Sequence, residues 1–206
     1  MIQIRALTCA RGSVVLLEGV QFSLSRGQAL VLRGPNGCGK TTLLRTIAGL
    51  QPPIAGEIEV EADSIAYAGH SDGIKSTLTV AENLQFWADI YGSKAVDPAL
   101  DQMNLRGFAQ RMAQNLSAGQ KRRLGLARLV VTGRPIWVLD EPTVSLDTAS
   151  VALFAKLMRD HLDSGGVALI ATHIDLGLPE VNVLDLSAFK ASSPMPGDVG
   201  FDEAFL

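Results

Sequence analysis

The sequence predicts an α/β protein in which a parallel sheet is covered on both faces, with a small antiparallel β subdomain ahead of it and a helical subdomain inserted within it. Three observations carry the reading. Apolar strands alternate with helical stretches, a glycine-rich turn at 34–41 joins a strand to a helix, and the run from Thr77 to Gly133 is mainly helical in pattern. A length of 206 residues suits one domain with enough chain to bury a core.

Each element has a local cause. From Ile2 to Arg33 the segments IQIRAL, SVVLL, GVQFSL and QALVLR alternate in polarity with glycines between them, which predicts an antiparallel sheet leading into a core strand that stops at Gly34. Thr41 to Gly49 reads as a helix closed by glycine, and the turn-rich QPPIAG precedes two short strands, EIEVE and SIAYAG. Thr79 with Glu82 three residues later forms a capping box, so a helix is expected from Thr79 to Gly92. The polar stretch from about 97 to 116 continues in helical style. IWVLDEP then predicts a buried strand, followed by a helix from Thr148 to about Leu162, the strand VALIATH and a last apolar segment, VLDLS. Residues from about 190 to 206 hold two prolines and little periodicity, which predicts a surface tail.

Composition narrows the partners. With 18 basic and 21 acidic side chains the net charge is -3, leaving no positive surplus for a nucleic acid, so no nucleic-acid partner is expected. No apolar run approaches the roughly 18 residues of a membrane span, and the first residues lack the pattern of a secretory signal, so a cytoplasmic, non-spanning chain is expected. Cys9 and Cys38 are too few for a disulfide framework or a cysteine-based zinc site.

Gly34-Pro35-Asn36-Gly37-Cys38-Gly39-Lys40-Thr41 fits G-x-x-x-x-G-K-[ST] between a strand and a helix, which makes the fold a phosphate-loop nucleoside triphosphatase core. The glycines let successive backbone N–H groups turn inward on phosphates, and the helix adds its positive dipole end. Lys40 can neutralise β- and γ-phosphate oxygens, the Thr41 hydroxyl is placed to ligate Mg²⁺, and Thr42 completes the predicted ATP contacts. Cys38 reads as a small filler, with a reactive thiol near a helix N-terminus as the alternative.

Asp140 and Glu141 follow an apolar strand at the carboxyl edge where α/β sheets bind ligands. Asp140 suits a hold on Mg²⁺, and Glu141 suits deprotonating an attacking water. His173, after VALIA, should share that edge. A histidine at a strand end is commonly structural; beside a phosphate loop it becomes a candidate γ-phosphate sensor.

Asn115-Leu116-Ser117-Ala118-Gly119-Gln120 closely resembles the LSGGQ signature of the ABC ATPases, and Ser145-Leu146-Asp147 is similar to that family's D-loop. The resemblance spans roughly Ile2 to Ser187. It implies an ABC ATPase fold, Mg²⁺-dependent ATP hydrolysis, and a head-to-tail dimer in which Ser117, Ala118, Gly119, Gln120 and Asp147 of one copy close over ATP held by the other. A narrower resemblance rests on Gly69-His70-Ser71-Asp72-Gly73-Ile74-Lys75, Leu78-Thr79, Glu82-Asn83-Leu84 and the alanine in the signature, which look like the haem-exporter ATPases of cytochrome c maturation. That implies integral membrane partners of this system and a peripheral place on the cytoplasmic face of the bacterial inner membrane.

Two positions depart from the ABC pattern. Ser71 stands where a metal-holding glutamine is usual, so His70 substitutes, a water bridges, or the metal relies on Thr41 and Asp140. Arg11 stands where an aromatic usually stacks on adenine; its guanidinium can stack on a base or remain a solvated charge. Val80, Leu84, Trp87 and Tyr91 form one helical stripe, either core or, with Phe86, a docking groove. Lys121-Arg122-Arg123 reads as a solvated basic face. The competing functions are the ATPase of another exporter, a non-transport ABC ATPase acting on ribosomes or DNA, and a scaffold that binds ATP without hydrolysing it.

Overall fold

The computed structural model describes residues 1–178 and 181–191, so the tail expected at 190–206 lies almost wholly outside the described residues. Strands β1 (Ile2–Arg11) and β2 (Val14–Leu24) pair antiparallel, and β4 (Ala55–Val60) flanks β1 on its other side. The segments SVVLL and GVQFSL, expected as two strands, are the single strand β2, because Gly19 adopts a left-handed φ of 69° and lets the strand bend without ending. β1 shifts register between Ile4 and Leu7, where Ala6 takes a φ of 46°. Opposite this bulge a Cβ on Gly56 would fall 2.4 Å from the Ala6 carbonyl oxygen, so only glycine fits.

The parallel sheet has the order β5-β6-β7-β3-β8, formed by β3 (Ala29–Arg33), β5 (Ile65–Ala68), β6 (Ile136–Asp140), β7 (Val167–Ala171) and β8 (Val181–Asp185). Alternation along these strands divides the interior in two. Leu30, Leu32, Val138 and Leu169 pack under α1 (Lys40–Ile47) and the inner face of the antiparallel sheet. Ala29, Val31, Leu139 and Ile170 face the other way, against α4 (Ala118–Thr132) and α5 (Thr148–Asp163).

The capping box at Thr79 forms as expected and opens α2 (Val80–Tyr91): Thr79 Oγ1 accepts from the Glu82 amide and Glu82 Oε2 from the Thr79 amide. Glu82 is held below the usual carboxylate range by these bonds, the backbone one first. The stretch 97–116 departs from expectation. Only α3 (Val96–Gln102) is α-helical; 3₁₀ turns at Arg106–Phe108 and Ala113–Asn115 follow. Asn104 stops the helix at a φ of 50°, and Arg106 folds back onto Asp97 and Asp101. Among the described residues, no helix is long and apolar enough to cross a membrane.

Candidate nucleotide site

Parallel pairing brings the carboxyl ends of β3, β5, β6 and β7 to one edge. β3 runs into the phosphate loop, β6 into Glu141 and β7 into Thr172 and His173, and Arg33 ties the first and last of these ends by donating to the Thr172 carbonyl. Gly39 precedes α1 at a φ of 106°, with β2 so close that a Cβ there would lie 3.0 Å from Leu17 Cγ. Lys40 is 9% exposed, and its ammonium donates to the carbonyls of Gly34 (2.8 Å) and Pro35 (3.1 Å), which fixes it over the loop. The half-buried Cys38 packs its sulfur beside Gly34, where a Cβ would approach to 2.7 Å, as a filler should. Pro35, Asn36 and Gly37 are exposed at the loop's crest; Thr41 and Thr42 lie in the first turn of α1.

Asp140 is 1% exposed, and its Oδ2 has no hydrogen-bond partner. A buried carboxylate oxygen left unpaired is costly unless a cation compensates it, so the donor set suits a hard divalent ion such as Mg²⁺. His70 and Ser71 are both exposed, and His70 Nε2 approaches the same oxygen at 3.5 Å. Burial and then the nearby Asp140 carboxylate push the Tyr67 phenol up.

Glu141 takes a left-handed φ of 48°, rare for a residue with a side chain, while its amide donates to the Ala171 carbonyl at 2.8 Å. Its Oε1 lies 3.5 Å from His173 Nε2, so the acidic pair and the histidine meet at one edge.

Ser117 caps α4 in a capping box with Gln120: its hydroxyl accepts from the Gln120 amide, and Gln120 Oε1 accepts from the Ser117 amide. Gly119 lies under the turn after Glu141, where a Cβ would meet the Ser145 carbonyl at 3.1 Å. Asp147 caps α5, and hydrogen bonds from Ser150 hold its carboxyl below the usual range. Arg11 is exposed beside the β1–β2 turn. Its neighbour Ala10 accepts from Gln51, which also reaches Thr42 and Thr46, so this hairpin is tied to α1.

The solvated basic face does not exist as expected. Arg122 is 5% exposed and its guanidinium reaches the carbonyls of Pro142, Gly69 and Glu141 and the carboxylate of Asp72, at 2.8–2.9 Å. Arg123 Nη1 reaches the carbonyls of Met103 and Asn104, both at 3.0 Å. Arg122 shares a helical face with the apolar Leu126 and Leu129, the one sequence signal that it points inward.

Comparison with known proteins places this geometry among relatives. The family model described as ABC transporter matches residues 17–144. The chain is 63% identical to the cytochrome c biogenesis ATP-binding export protein CcmA of Rhodobacter capsulatus, over 100% of this chain and 99% of that protein. It is likewise 63% identical to CcmA of Paracoccus denitrificans, with the same coverage of both. Among solved structures, a Pyrococcus furiosus protein assigned as an ABC transporter ATP-binding protein superposes with a TM-score of 0.81 at 25% identity, over 92% of this chain and 99% of that one. CbiO1 of Clostridium perfringens, part of the ABC transporter complex cbiONQ, shares the fold with a TM-score of 0.73 at 24% identity, over 88% and 83%.

Proposed function

Because the chain belongs to the ABC transporter family, we propose that it is the ATP-hydrolysing motor subunit of the cytochrome c maturation complex that exports haem, working with integral membrane subunits at the cytoplasmic face of the inner membrane. The observation that supports hydrolysis most directly is the edge where a buried, unpaired Asp140 oxygen stands next to Glu141, itself within 3.5 Å of His173. A scaffold that only binds ATP would use Asp140 for the metal but has no need of the Glu141–His173 pair.

The chain's own groups divide the work. The phosphate loop and Lys40 orient the triphosphate, with the backbone N–H groups and the ammonium placed for its β- and γ-oxygens. Glu141 takes a proton from a water whose oxygen bonds to the γ-phosphorus as the bond to the bridging oxygen of ADP breaks in line. His173 steadies the Glu141 carboxylate and senses the γ-phosphate. Thr41 and Asp140, with His70 adjacent, would hold Mg²⁺, which when bound neutralises charge developing on the phosphoryl oxygens. Ser117, Ala118, Gly119, Gln120 and Asp147 complete the site of a second copy in a head-to-tail dimer. Ser117 retains its proton to donate while its oxygen caps α4. Arg11, exposed at the β1–β2 turn, would stack its guanidinium on the base.

A pull-down from membranes with Glu141→Gln, which traps ATP between two copies, followed by mass spectrometry and an absorption scan for haem, tests the reading. Recovery of cytochrome c maturation proteins is expected. A different permease would move the cargo elsewhere, and ribosomes or DNA would overturn transport.

A further inference from the structure

The buried guanidinium of Arg122 joins three segments that the chain keeps apart. Nε donates to Pro142 O (2.9 Å), Nη2 to Glu141 O (2.8 Å), and Nη1 to both Gly69 O (2.9 Å) and Asp72 Oδ1 (2.8 Å). The peptide it grips on one side belongs to Glu141, whose left-handed backbone persists only while its surroundings hold it. The loop it grips on the other side is itself clamped. Asp72 lies so tightly against α4 that a Cβ on Gly125 would sit 2.8 Å from its Cβ, and Asn83 brackets Lys75 by accepting from its amide (2.8 Å) and donating to its carbonyl (3.0 Å). Lys75 in turn lies over the ring of the exposed Phe86 on α2, at 4.6 Å.

We infer that Arg122 is a positioning residue for hydrolysis, which holds the Glu141 turn in its reactive conformation and passes displacement of the 69–75 loop to that turn. The inference rests on Glu141 acting as the base. Forked, planar donors are required, since a lysine ammonium cannot span the carbonyls of Glu141 and Pro142 while reaching Gly69 and Asp72.

The test uses the full chain with Arg122→Gln, Arg122→Lys and Asp72→Asn, each made alone and in the Glu141→Gln background. ATP affinity, steady-state and single-turnover rates and thermal unfolding are measured. Arg122→Gln is expected to lower kcat by about 10- to 100-fold, as sub-ångström misplacement of a reacting group does, with KM nearly unchanged, and to leave the residual rate of Glu141→Gln as it was. Arg122→Lys should not rescue it. Asp72→Asn keeps the acceptor geometry without the charge, so it covers the case in which Arg122→Gln does not fold; it should lower kcat less and only when Glu141 is present. Equal fractional losses in both backgrounds, or a raised KM with kcat intact, would overturn the inference. A Glu141→Gln chain hydrolysing at the unmutated rate would instead remove the reading beneath it.

Discussion

Asp140 closes an extended strand and Glu141 opens a turn, and that single peptide step separates two environments: one carboxylate is 1% exposed with an unpaired oxygen, the other sits at a φ of 48° within reach of His173. Glu141→Gln should therefore cut single-turnover hydrolysis by on the order of 10²- to 10⁴-fold while ATP affinity is retained. Asp140→Asn should instead weaken binding of ATP in the presence of Mg²⁺, and equilibrium dialysis with and without the metal separates the two effects. Phosphate loop and acidic pair were legible because each is contiguous and its chemistry is carried by residue type. Arg122 was not, since its acceptors come from Gly69, Asp72, Glu141 and Pro142, none of them near it in sequence, and an arginine beside a lysine and another arginine looks like a wet surface.

Helix α2 carries two faces, the stripe of Val80, Leu84, Trp87 and Tyr91 and, beside it, Phe86 and Ile90. Val80 and Leu84 are fully buried, Trp87 and Tyr91 are half-buried and stack at 6.1 Å, and Phe86 and Ile90 are exposed. Leu84→Ala should cost about 2–5 kcal/mol of stability in denaturant titration. Phe86→Glu with Ile90→Glu should leave the unfolding midpoint in place yet abolish recovery of membrane partners. On α5, His161 stacks flat on Trp137 with ring centres 3.7 Å apart, and burial depresses its pKa below the ordinary histidine value, partly offset by carbonyls of Val167 and Pro135. The unfolded chain thus binds the proton more readily. Stability is intact above about pH 6.5 and falls as pH drops through the window below it. Urea midpoints at pH 7 and 5.5 should differ in the unmutated protein and converge in His161→Phe. An element with a strong local signal, the capped α2, was legible to within a residue, whereas the 3₁₀ turns after α3 depend on Asn104 and on Arg106 reaching back to Asp97, which no periodicity announces.

At the scale of the molecule, the signature helix is capped, buried on its sheet side and presented with Ser117 exposed, which suits closure over a second copy. Glu141→Gln should elute in gel filtration at about twice its 21.9 kDa with Mg²⁺ and ATP. With ADP, or when Lys40→Ala is added, it should return to the monomer position; a monomer under all conditions would exclude the ATP-driven dimer. The strand order β5-β6-β7-β3-β8 also has a consequence for synthesis. Among the described residues β3, which carries the phosphate loop, has β7 and β8 as its neighbours in the sheet, and both are made late, at 167–171 and 181–185. A ribosome that has released the loop has made neither. The nucleotide site is thus among the last parts of the chain to be assembled, and a chain truncated before Val167 carries every residue of the loop on an unpaired apolar strand, a client for chaperones and proteases instead of a weakened ATPase.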